Sequence, residues 1–156
     1  MKYVMKLLST GQSLQSTLVV WNDKLNRHVA ISVRETEAFS KTCAAWLRQI
    51  DEFEEDSQAK AQRFTEEQMH EYDDLGMGLQ THSKQITHWL TTFKNPQLDG
   101  PHDWKITRER IYYHISRCID IISEQRQMLK LAVTRFRDDD LWTDTDCNPY
   151  LIISSQ

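Results

Sequence analysis

The stretch from Trp104 to Phe136 constrains this chain more than any other. Apolar side chains recur at Trp104, Ile111, Ile115, Cys118, Ile122, Leu129, Ala132 and Phe136, with Arg108 and Gln125 filling the two gaps, so the steps alternate four and three without a break. That is the period of a helix with one buried face. Such a helix needs partners, and two earlier stretches carry matching seams. Leu14, Leu18, Trp21, Leu25, Val29, Ser32, Thr36, Phe39, Cys43, Trp46, Ile50 and Phe53 form the first, with one extra step of four at Val29 read as a stutter. Tyr72, Leu75, Leu79, His82, Ile86, Trp89 and Phe93 form the second.

The spacing predicts an all-α fold, an antiparallel, coiled-coil-like bundle of three long helices at about 13–55, 59–93 and 103–141. Ser13 is available to cap the first helix after a break at Gly11, and Asp56-Ser57 marks the first corner. Asn95-Pro96 and Gly100-Pro101 bracket the second connection. An apolar segment, 1–11, precedes the bundle and an extended tail, 143–156, follows it. The rival reading is α+β with a hairpin at 17–33, because Leu18-Val19-Val20-Trp21 and Val29-Ala30-Ile31-Ser32-Val33 are rich in β-branched residues around a turn-forming Asn22-Asp23. Gly76 and Gly78 should mark a kink or a close helix approach.

A chain of 156 residues is expected to form a single domain, 1–156, with a real core. No stretch has the roughly 18–20 apolar residues of a membrane span, and Lys6 interrupts the one run that resembles a leader, so an exported precursor is not expected. Cys43, Cys118 and Cys147 are odd in number and widely spaced, which argues against a disulfide framework and for a reducing, cytoplasmic setting. The net charge of −4 conceals an asymmetry. Ten acidic residues against three basic ones lie between Arg48 and Asp74, and eight basic against three acidic between Lys105 and Arg137. Neighbouring faces of one bundle would neutralise each other; the sharper reading is nucleic-acid contact through Arg110, Arg117 and Arg126.

Folding the three seams back on one another sets Trp89 near Arg108, His82 near Ile115 and Cys118, and Gln68 near Gln125. It also gathers Ser32, Thr36, His82 and Cys118 in the middle and sends the two chain ends to opposite ends of the bundle. Tyr3, Val4, Leu7 and Leu8 at one end and Trp142, Tyr150, Leu151 and Ile152 at the other are then candidate partner-binding residues, for another protein or a second copy. The expected function is that of an adaptor, chaperone or regulatory subunit, with self-association into an oligomer as one option. Metal and cofactor are not expected. Glu67-x-x-His70 lacks the second copy that a di-iron bundle needs, and no phosphate-loop spacing occurs.

One pattern points to enzymology. Arg108-Glu109-Arg110-Ile111-Tyr112-Tyr113-His114 places Arg and His with five residues between them near the start of a late helix. It resembles the R-x(4 to 6)-H motif of HEPN ribonucleases, a likeness that covers seven residues. The resemblance implies Arg108 and His114 as an RNA-cleaving pair in a dimer. Six residues turn a helix through about 600°, so Arg110, four residues from His114, shares its face better and is the alternative partner.

Overall fold

A computed structural model of the chain describes residues 2–61, 66–92 and 101–137, with side chains at 5–55, 66–91 and 105–131. The described residues form four helices rather than three: α1 (Lys2–Asn26), α2 (Val33–Ala61), α3 (Glu66–Thr92) and α4 (Pro101–Arg137). The all-α class holds. No strand occurs among the described residues, so the hairpin at 17–33 is replaced by helix and a tight corner.

The corner divides the expected first helix because two local devices meet there. His28 adopts φ 56°, the left-handed conformation that closes a helix. The Val29 N–H reaches back to the Lys24 carbonyl at 2.7 Å and the His28 N–H to Leu25 at 3.3 Å, the paired bonds of a Schellman ending. Ser32 then opens α2 as a capping box: its hydroxyl accepts from the Glu35 N–H at 3.1 Å, and the Glu35 carboxylate accepts from the Ser32 N–H at 2.7 Å. Lys24 clamps the corner by an ion pair to Glu35. Burial opposes ionisation of Glu35, but Lys24 and Ser32 together hold its carboxyl below the usual range. The seam does not run through this corner: Val29 is exposed, Ser32 is spent on the cap, and Ile31 supplies the core side chain.

At the other boundaries α1 passes through Gly11 without a break, and α2 continues beyond Asp56-Ser57 to Ala61. Gly11 serves packing. A Cβ there would lie 2.8 Å from the Trp46 ring and 3.1 Å from Arg126, so only glycine lets α1 sit this close to α2 and α4. Gly78 has the same use, since its Cβ would come within 3.1 Å of Ile121 on α4.

Packing is cyclic: α1 lies on α2 and α4, and α3 lies on α2 and α4. Successive helices are antiparallel, the up-down-up-down arrangement of a four-helix bundle. Gly11 beside Arg126, and Asn26 accepting from the Tyr112 hydroxyl at 2.5 Å, show that α1 also runs antiparallel to α4. The start of α1 and the finish of α4 therefore share one end of the bundle, not opposite ends as a three-helix count required. Trp21, Trp46, Phe53, Leu79, Ile86, Ile111, Ile115, Ile122 and Leu129 fill the core. A deep polar bridge runs from the Trp46 indole N–H to Gln125 Oε1 at 2.8 Å, both residues fully buried.

Candidate functional site

Two surfaces carry more than structure requires. On the first, His82 of α3 and His114 of α4 face each other with their Nδ1 atoms 2.9 Å apart. Both rings are half-buried, and the exposed Tyr113 ring meets both edge-on. One imidazole must donate its Nδ1 proton and the other accept it, so the pair holds complementary tautomers. The donor then keeps a free lone pair on Nε2, and the acceptor keeps an Nε2 proton. Burial, then Arg117, holds His82 below the ordinary imidazole range; burial, then His82 and Arg110, does the same for His114. Arg110 is itself stacked over the Trp89 ring at 5.1 Å.

Of the expected catalytic residues, Arg110 and His114 thus lie on one face, whereas Arg108 turns away and rests over the Tyr112 ring at 6.0 Å. The Trp89 mate is Arg110, not Arg108, and the Gln125 mate is Trp46, not Gln68. The expected quartet in the middle does not form: Ser32 caps α2, the Thr36 hydroxyl donates to the Val33 carbonyl, and His82 meets His114. Cys118 and Cys43 are buried, and burial pushes the Cys118 thiol up to about 12 and Cys43 higher still, so neither is a thiolate nucleophile. Arg110 and Arg117 are exposed on the α3–α4 side, but Arg126 leaves that face. It is tucked under α1 and donates to Gln15 Oε1 at 2.7 Å, so the three arginines form no single basic strip. Among the described residues no group of three or more His, Cys, Asp or Glu side chains is placed to hold a metal ion.

The second surface is a groove of about 410 Å³ between α1 and α2. Trp21 and Phe39, with ring centroids 4.8 Å apart, sit at its base, and Val20, 51% exposed, lies at its rim beside the equally open Val19. The Thr17 and Thr42 hydroxyls that line it donate to carbonyls of their own helices, Ser13 and Ala38, and so ask nothing of an occupant.

Of the expected partner-binding residues, Leu7 and Leu8 are only 2% and 1% exposed and belong to the core of this chain. In the four-helix ring α4 ends at the same end of the bundle as these residues. The Tyr3 and Val4 backbone lies in α1, their side chains outside the description; Trp142, Tyr150, Leu151 and Ile152 lie outside the described residues. His82 as the mate of His114, and the valines of α1, were missed by sequence reasoning. The seam counted His82 as core, and Val19 and Val20 fall off the seam, where a β-branched residue on an exposed helix face has no obvious purpose. No helix among the described residues is long and apolar enough to cross a membrane.

No protein-family profile, no curated protein and no solved structure matches the chain.

Proposed function

We propose that this four-helix bundle is a binding protein, of adaptor, chaperone or regulatory type, that holds an amphipathic helix of another protein in the α1–α2 groove. The observation that carries the reading is the groove itself: an aromatic base, the open Val20 at its lip, and threonine hydroxyls already bonded within their own helices. An incoming helix would bury apolar surface there without stranding the Thr17 or Thr42 hydroxyl. The one charge at the groove, Glu35, is already paired with Lys24, so the occupant presents an apolar stripe rather than a charged one. The test places a photo-crosslinking side chain at Val20 in the intact chain. The expected result is one discrete adduct whose crosslinked peptide is amphipathic at helical spacing, and which a crosslinker at the distant, exposed Lys84 does not give. Adducts scattered over many proteins, or equal yield from both positions, would overturn the reading.

A second reading, ribonuclease chemistry of the HEPN type, is favoured by the imidazole pair. An imidazole pair that keeps one free Nε2 lone pair and one Nε2 proton, beside Arg110 and Arg117, offers a base and an acid next to charges suited to a phosphodiester. Cleavage of labelled RNA by the purified chain, abolished by His114→Ala and reduced by Arg110→Ala with Arg108→Ala without effect, would support it. No cleavage by the wild-type chain would remove it.

A further inference from the structure

The outer face of α3–α4 carries opposite charges at its two ends. Toward the end where α4 finishes, a groove of about 340 Å³ is lined by Glu71, Asp74 and Leu75 of α3 and Glu124, Gln127 and Met128 of α4. Toward the other end the same face bears His82, Arg110, His114 and Arg117. Gly78 faces Ile121 between these two ends, in a contact where an added Cβ would lie 3.1 Å from the Ile121 side chain. Glu71, Asp74, Arg110, Arg117 and Glu124 are all exposed, and none is held in an ion pair within the chain among the described residues. Apolar surface lies open along the same stripe: Tyr113 is 57% and Leu131 61% exposed, three and four residues from charged positions on the α4 ridge.

We infer that this face is an isologous interface with a second copy of the chain, formed by α4 lying antiparallel on α4 of the partner across a twofold axis near Ile121. The charge pattern selects that geometry. A face that is acidic at one end and basic at the other is complementary to itself only when one copy is reversed. Positions equidistant from the axis then meet: Arg117 with Glu124 of the second copy, Tyr113 with its Met128, Arg110 with its Leu131, and on α3 Asp74 with its His82. A parallel arrangement would set acid on acid and base on base. Exposed ion pairs contribute little by themselves, roughly 0–1 kcal/mol, so the apolar contacts of Tyr113, Met128 and Leu131 hold the copies together and the charges fix the register. The inference rests on the protein-binding reading for its class but uses a different surface, and α1–α2 remains open in the dimer.

The experiment measures the native mass of the full chain by sedimentation or light scattering, with circular dichroism to establish that each variant is folded. Wild type is expected as a dimer. Arg117→Glu and Glu124→Arg each set like charges against one another at both symmetric contacts, and each alone is expected as a monomer. In a one-to-one mixture of the two variants, opposite charges meet again at both contacts, and the dimer is expected to return as a heterodimer. A monomeric wild type, a variant that stays dimeric, or a mixture that stays monomeric would each overturn the inference. Val20→Glu should remain dimeric while losing its occupant, so the groove reading and the dimer can fail separately.

Discussion

At the residue scale the chain is governed by a few side chains whose surroundings leave no latitude. Replacing Gly11 with alanine should gain roughly 1 kcal/mol of helix propensity, yet it drives a methyl into the Trp46 ring and the Arg126 stem. Overpacking of this kind costs about 1–3 kcal/mol, so Gly11→Ala is expected to lower stability on balance, read as a fall in the urea midpoint. The imidazole pair predicts a pH effect whose sign can be worked out. Both rings resist protonation in the folded state, below the ordinary 6.5, while the unfolded chain takes up protons normally. Between the depressed values and 6.5 the unfolded state binds more protons, so the stability contributed by the pair is complete above about pH 6.5 and is lost as pH falls below it. Glu54 acts in the opposite direction: burial, then Asp73, Asp51 and Glu55, raise it to about 7, and acidification relieves that cost between about pH 7 and 4.5. The effect of the pair is therefore read as a difference. The wild-type urea midpoint should fall more between pH 7 and 5.5 than that of His82→Gln, His114→Gln, and equal slopes would refute it.

At the scale of elements, the corner at 27–32 decides the fold. Ser32→Ala removes the hydroxyl that receives the Glu35 N–H, and such caps are worth about 1 kcal/mol. His28→Gly should act in reverse, gaining up to about 1 kcal/mol because glycine occupies φ 56° without strain. Thermal melts of the two variants should move in opposite directions from wild type. The same corner explains the missed helix boundary. The period counted Val29 and Ser32 as continuing the seam, because steps of three and four can be threaded through almost any run containing enough small or apolar residues. The Ser32-Val33-Arg34-Glu35 capping box was legible as an N-terminal signal. The helix ending at His28 was not, since a histidine in the left-handed region looks like any other histidine in sequence.

At the scale of the whole molecule, the fourth helix reverses which ends of the bundle meet. Cysteines replacing Gln15 and Ser123, whose side chains are 2.6 Å apart, should be joined by a short crosslinker in high yield. A cysteine replacing Gln15 paired with one replacing Glu109, near the opposite end of α4, should not. Equal yields would refute the antiparallel α1–α4 contact. The ring of four helices also explains why the expected functional surface moved. In a three-helix bundle the N-terminal apolar run has nothing to cover it and reads as a docking site; in the four-helix ring Leu7 and Leu8 are core, and the open apolar residues lie elsewhere, Val19, Val20, Tyr113 and Leu131 among them.

The sequence by itself determined the helical class and most of the α4 core, because a buried stripe repeating at the helix period is a local property that survives any topology. Ile111, Ile115, Cys118, Ile122, Gln125 and Leu129 lie on the seam and are all fully buried. Only tertiary structure decided the helix count, the pairing of Trp46 with Gln125 and of His82 with His114, and the separation of Arg126 from Arg110 and Arg117. Those depend on which helix lies beside which and at what rotation, and a period read along one helix carries no information about the azimuth of its neighbour.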